Sequence, residues 1–330
     1  MTVATAGVTT ATQSAVTAAS QAFVAAHIDA ATALGERLAE LIGDPDAFVE
    51  ATRRGLEELA DPAVVDGIHS IAPGLGTVLG VRLPLLEAAH KQLRRATKHA
   101  STAQILDVTD RLMREEAADV RWFGMWNLER LLATDPERTW QLMRRAAGEA
   151  GEWISVDTLA HPYGAGILRE PRRWSELQLL VYSRSRWERR LVGSTIATLP
   201  HVKLAGARDR GVVTNGLSLI DQLIGDNEPD VQKALSWALR NLAELDPGTV
   251  VPYLEKGTAT AHASGDGSRA WVIRDSLSKI PVATADRLRA QLDGIRRRPG
   301  APSTSLAAQS AAEFAPTGAA PRPAHSSREE

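Results

Sequence analysis

The sequence predicts an all-α chain of stacked helical hairpins, and three observations carry that prediction. Large apolar residues recur at spacings of three and four, the period of an amphipathic helix. Asp-Pro turns recur between those segments, in DPDAF, LADPAVV, ATDPER and LDPGTV, with GDNEPDV as a variant. Alternating apolar and polar runs bounded by hairpin turns are scarce, and Gly-rich phosphate loops are absent. A length of 330 residues suits one large domain or a small repeat array with ample core.

Taken in order, residues 1–18 are an Ala/Thr/Ser mixture without periodic large apolar residues, and read as a disordered N-terminal segment. Phe23, His27, Ala31, Leu34, Leu38 and Leu41 then form a helical stripe. Pro84 opens the next clear helix, and the basic residues of Lys-Gln-Leu-Arg-Arg fall in its later turns, where they suit the helix dipole. Residues 120–132, 187–199 and 231–242 each read as one helix with one apolar stripe. From Arg296 the composition turns to Pro, Ala and Ser, and residues 296–330 read as a disordered tail. The folded body is therefore residues 19–295.

Two helices, beginning Asp119-Val-Arg-Trp and Asp230-Val-Gln-Lys, share an acidic, β-branched, polar order. Each runs to an Asp-Pro turn, Asp135-Pro136 and Asp246-Pro247. This is a weak, degenerate internal repeat of the HEAT type, and it predicts a HEAT-like helical-repeat solenoid in a single curved domain. A non-repeating bundle has a similar pattern.

The chain contains no cysteine, so it has no disulfide framework, no thiolate metal site and no thiol nucleophile. Its N-terminus lacks the basic and apolar regions of a secretory signal, and no unbroken apolar stretch is long enough to span a bilayer. A soluble, cytoplasmic protein with no membrane partner is expected. The net charge of −2 decides little, but residues 168–210 hold ten Lys/Arg against four Asp/Glu. Nucleic-acid binding needs a basic face rather than a basic total, because phosphate neutralisation is local. The same excess also fits a well-hydrated surface.

Eight tryptophans accompany only three tyrosines and four phenylalanines. Taken singly, a Trp here is more simply core packing than a ligand contact. Two segments have company that packing does not require. In Glu152-Trp-Ile-Ser-Val-Asp, Trp153 and Asp157 are four apart and share one helix face, the acid lying in an otherwise apolar neighbourhood. An aromatic face beside a carboxylate attracts cations and developing positive charge. On spacing alone, Asp157 is more simply a helix cap or an Arg partner. In Arg186-Trp-Glu-Arg-Arg, three arginines and Trp187 open a helix, a set able to grip phosphates through paired hydrogen bonds. A third segment, Lys233-Ala-Leu-Ser-Trp-Ala-Leu-Arg, places Trp237 between Ser236 and Arg240.

In this order the three segments resemble the AlkD family of DNA alkylation repair glycosylases, built from HEAT-like repeats. The resemblance extends to Leu79-Gly-Val-Arg-Leu-Pro and to Arg121-Trp122, and covers roughly residues 45–260. It implies that Asp157 is the catalytic carboxylate. It also implies that Trp153 and Trp237 wall the lesion's deoxyribose, and that Arg190 contacts the backbone near it. Arg189 takes that last role if the register slips by one. Phe123, Gly124 and His161-Pro162-Tyr163, the last placed just after the catalytic helix, depart from the family's pattern and bear on lesion preference more than on chemistry.

The resemblance thus implies a monomeric DNA glycosylase that releases N3- or N7-alkylated purines from duplex DNA, without base flipping and without metal or cofactor. Two other readings remain. One is a relative that binds unusual DNA structures without excising a base, and the other is a HEAT-like protein-interaction scaffold.

Overall fold

The computed structural model describes residues 4–313, with side chains from residue 16 onward. Among the described residues the regular elements are helices, apart from one antiparallel bridge between Ala60 and Val81. The four Asp-Pro turns share one mechanism. Asp44, Asp61, Asp135 and Asp246 each precede a helix, and their carboxylates accept from the amides of Ala47, Ala63, Arg138 and Thr249 at 3.0–3.3 Å. The following Pro occupies the first turn, where its missing N–H costs nothing.

The helices fall into two compact units, with the boundary between Glu170 and Pro171, inside the body that the sequence reads as one domain. The first unit contains α1 (Ala4–Glu40), α2 (Pro45–Glu58), α3 (Val65–Ile71), α4 (Leu83–Ala96), α5 (Thr102–Leu112), α6 (Ala118–Met125), α7 (Leu128–Leu132), α8 (Pro136–Glu149) and α9 (Trp153–Arg169). Leu34, Leu38, Phe48, Leu56, Leu85, Leu112 and Phe123 fill its core. α1 lies closely along α4, and Gly35 permits this because a Cβ there would strike the Ala89 carbonyl. Beyond that pair α5 stacks on α2 and α7, while α9 packs against α6, α7 and α8.

The second unit contains α10 (Arg173–Val181), α11 (Arg186–Thr198), α12 (Arg210–Leu223), α13 (Pro229–Leu245), α14 (Pro247–Ser264), α15 (Gly267–Ser276), α16 (Val282–Gln291) and α17 (Leu306–Glu313). Here alternation is regular. α11, α13 and α15 stack in one layer, and α10, α12, α14 and α16 in the other. This stacking of every second helix is the packing of a helical-repeat protein. α11 and α13 approach closely at Gly193, where a Cβ would meet the backbone of Ala234 and Leu235.

Three expectations change. The stretch 120–132 is two helices rather than one. The amide of Asn127 turns to the Gly124 carbonyl at 3.1 Å, and the Asn127 side chain contacts His90 Nε2 at 3.1 Å, so the chain breaks between α6 and α7. At the N-terminus the segment read as disordered is helical from Ala4. Its alanines extend a helix already nucleated by the amphipathic stripe, and propagation costs far less than nucleation. Residues 1–3 lie outside the described residues.

The tail is ordered as far as Glu313. The Thr304 amide donates to the Gly225 carbonyl at 2.9 Å, and Arg297 donates to Gln232 Oε1 at 2.8 Å while covering the Trp271 ring. Gly225 and Gly267 leave room for the tail's backbone. The segment orders through hydrogen bonds and glycine surfaces, which apolar composition does not reveal. Residues 314–330, the rest of the tail read as disordered, lie outside the described residues.

Candidate active site

The geometry of α9 begins at Glu152. This residue is 3% exposed, and its carboxylate accepts from the amides of Ser155, at 2.9 Å, and Ile154. It is the N-cap, so α9 starts at Trp153 and Asp157 lies one turn further in. The cap reading of Asp157 is thereby excluded, because another acid fills that position. Trp153 and Asp157 are both half-buried and stack at i and i+4 on one face. The indole Nε1 of Trp153 donates to the Ile71 carbonyl at 2.8 Å, which fixes the ring against the end of α3. Trp122 on α6 donates from its own indole to Ser155 Oγ at 3.1 Å, tying α6 to the first turn of α9. Sequence reasoning assigned no role to Glu152; its signal is an acid directly before an apolar helix.

α9 continues to Arg169, so His161-Pro162-Tyr163 lies inside the helix rather than after it. Pro162 cannot donate to the Thr158 carbonyl one turn back, so the ladder is interrupted one turn beyond Asp157. Tyr163 packs on Trp140 with ring centroids 4.7 Å apart, which anchors this part of α9 against α8.

The Leu79-to-Pro84 motif is scaffold. Gly80 adopts φ of 87°, a conformation that favours glycine. The carboxylate of the buried Asp119 accepts from the amides of Leu79 and Val81 at 2.8 and 2.9 Å. Arg82 donates to Asp61 at 2.7 Å and to Ser20 at 2.6 Å. Arg121 reaches the carbonyls of Glu115 and Leu75, and burial draws its pKa below the usual arginine value. These residues hold the loop before α4 in place. Read in the sequence, Asp119 is only the first residue of a repeat.

In the second unit the arginine cluster divides by role. Ser185 caps α11 by accepting from the Trp187 amide at 3.3 Å. Arg189 donates to Asp226 at 2.6 and 3.4 Å and to the carbonyls of Ser183 and Arg184, at 2.9 and 3.2 Å. Its guanidinium is committed to the loop before α11 and the loop before α13. Arg186 lies over the Trp187 ring, 4.7 Å from the centroid, and within 3.6 and 3.8 Å of Glu228 and Asp230. Arg190 is 6% exposed and donates to the Asp230 carbonyl at 2.8 Å.

Trp237 is half-buried on α13, the helix that packs closely on α11. Its neighbours Ser236 and Arg240 both bind Asp275 of α15, at 2.6 and 2.7 Å. They serve the α13–α15 contact, and the face of Trp237 is shared with exposed Lys233 one turn earlier. The structure thus pairs Trp153 with Asp157 on α9, and carries Arg190 and Trp237 on the adjacent helices α11 and α13. Among the described residues no group of three or more His, Asp or Glu is arranged to hold a metal ion. No helix among them is long and apolar enough to cross a membrane.

The sequence pattern of the DNA alkylation repair enzyme family matches residues 52–280. The chain belongs to that family. The match runs from α2 to the residues just before α16 and contains all six candidate residues: Trp153, Asp157, Trp187, Arg189, Arg190 and Trp237. No curated protein matches the chain. As a member of the DNA alkylation repair enzyme family, the protein has a role in repairing alkylated DNA, with DNA as its partner.

Proposed function

We propose that this protein is a DNA glycosylase that hydrolyses the N-glycosidic bond of cationic N3- or N7-alkylated purines in duplex DNA. The observation that carries the reading is on α9. Asp157 has no capping duty, because Glu152 performs it, and it stacks one turn beyond a tryptophan ring fixed by its indole hydrogen bond.

Alkylation at N3 or N7 gives the base a positive charge and makes it a good leaving group. The remaining work is to stabilise the oxocarbenium-like sugar and to deliver water. A carboxylate does the first electrostatically and orients the second, and an indole face favours the same developing charge. Asp157 supplies the carboxylate and Trp153 the indole face. Arg190 and Trp237 are assigned to DNA at the lesion, with Arg189, which binds Asp226, in place of Arg190 if the register of the resemblance slips by one. Trp187 carries Arg186 on its face and is assigned to the DNA backbone contact. The reaction proceeds with the base still stacked, on a monomer, with no metal or cofactor.

The test is release of 7-methylguanine and 3-methyladenine from methylated duplex by the purified protein, with freed bases identified by mass. Release by the wild type and none by Asp157→Asn supports the reading. Binding to the same duplex without release by the wild type would make the protein a non-catalytic DNA binder instead.

A further inference from the structure

Partly exposed positions recur on α9 once per turn: Trp153 with Ile154, Asp157 with Thr158, and then His161. Val156, Leu159 and Ala160 between them are buried. His161 therefore extends the face of the candidate pair by one further turn, about 6 Å along the axis. That rise is comparable with the step from a nucleotide's sugar to the phosphate that follows it. Behind His161 stands Glu129 of α7, whose Oε2 lies 3.5 Å from the ring Nδ1, and the two side chains are 39% and 41% exposed.

The surroundings are cationic. Contact with His161 holds the Glu129 carboxyl below its usual range against the opposing effect of burial, and the charges of His161, Arg94 and Arg169 add to this. Arg94 of α4 and Arg169 at the end of α9 are both exposed. Arg130, beside Glu129, is turned to Thr97. From α8 this part of α9 meets a ring, Trp140 against Tyr163, and α6 is tied to the first turn through Trp122 and Ser155. Asp157 is the other acid on this face, one turn back. One carboxylate thus stands against two guanidiniums, and a protonated His161 adds to the excess. With Nδ1 turned to a carboxylate, the neutral ring presents a lone pair at Nε2, whereas the protonated ring presents an N–H. Only the second form can donate to a phosphate oxygen, and that bond is charge-assisted.

We propose that His161, backed by Glu129, binds the DNA phosphate next to the lesion and takes up a proton from solvent when the strand is seated. The inference rests on the glycosylase reading for the placing of the strand along α9, and adds a pH-linked contact to it. Trp153 and Asp157 take the sugar, and His161 takes the phosphate one turn on. Arg94 and Arg169 draw the anionic strand toward that end of the face.

The experiment measures affinity for a duplex carrying one tetrahydrofuran abasic site, which offers no glycosidic bond to a base. Fluorescence anisotropy is read at several salt concentrations from about pH 5.5 to about pH 8, the range in which histidine titrates. Wild type, His161→Gln, His161→Lys and Glu129→Gln are compared, and thermal melts verify that each is folded throughout. At the lower pH, His161→Gln should bind about tenfold more weakly than the wild type, with the salt slope of log K reduced by about 1. At the higher pH the two slopes should coincide. His161→Lys, a permanent cation, should keep the full slope at both ends. Glu129→Gln should move the wild type's gain in affinity to lower pH, because the protonated ring loses its carboxylate. Equal slopes for wild type and His161→Gln at every pH overturn the contact. So does a loss that is the same at every pH, or a His161→Lys variant that restores nothing. In each of these cases base release from methylated duplex by the wild type leaves the glycosylase reading standing. The pH-linked difference without any such release overturns the glycosylase reading instead.

Discussion

Behind α6 in the first unit the buried polar contact is His90 with Asn127, an uncharged pair at 3.1 Å, whereas beside α11 in the second unit it is Arg189 with Asp226, opposite charges at 2.6 Å. The contrast extends to the candidate residues. On α9 the scaffold supplies its own capping acid, Glu152, and Asp157 is relieved of that task. On α11 the scaffold consumes cations, and a cluster that looks like a phosphate clamp is partly an internal fastening. Whether a charged residue serves the scaffold depends on what its neighbours have already supplied to the backbone.

The sharpest way to break this comparison is to remove each arginine in the second unit. Arg189→Ala leaves the Asp226 carboxylate, 2% exposed, without its guanidinium and should lower folding stability by about 3–5 kcal/mol in denaturant melts. Arg190→Ala should instead weaken DNA binding and reduce the salt slope of log K by about 1. The reverse assignment of effects would exchange the roles of the two arginines.

The neutral pair in the first unit predicts a pH response. Burial pushes the His90 pKa from 6.5 down to about 4, against the partial support of Asn127. The unfolded chain therefore takes up this proton near pH 6.5, while the folded chain resists until near pH 4. Stability should be lost as pH falls through that window, by about 3 kcal/mol at the acid end. In melts, the stability difference between wild type and His90→Gln should shift against the wild type between about pH 7 and about pH 4.5. Parallel curves would mean that His90 is not held neutral.

A smaller effect concerns the cap of α9. Glu152→Ala should cost about 1 kcal/mol, a typical loss for an N-cap, and fray the start of the helix. A neutral result would show that some other group anchors it.

Much of this was legible in the sequence where one residue sets one local structure. The Asp-Pro pairs mark N-caps because the acid accepts an amide and the proline needs none. The four-residue spacing of Trp153 and Asp157 holds because α9 begins where an acid stands before an apolar run. What escaped depends on partners distant in sequence. The break at Asn127 answers to His90, Asp119 to the amides of Leu79 and Val81, and the tail to Gly225. The commitment of Arg189 likewise required seeing Asp226, thirty-seven residues away. The division at Glu170 rests on the packing of all the helices together, to which no short motif corresponds.

The proposed mechanism stands on Asp157 being a reacting group rather than a structural one. Asp157→Asn keeps the side chain's size and removes only its charge. The rate of 7-methylguanine release from duplex DNA, measured under single-turnover conditions beside the affinity for the same duplex, decides the matter. The expected result is a loss of about 10²–10³ or more in rate, with affinity and melting temperature little changed. A D157N variant that releases the base at the wild-type rate, or one that merely unfolds, would contradict it.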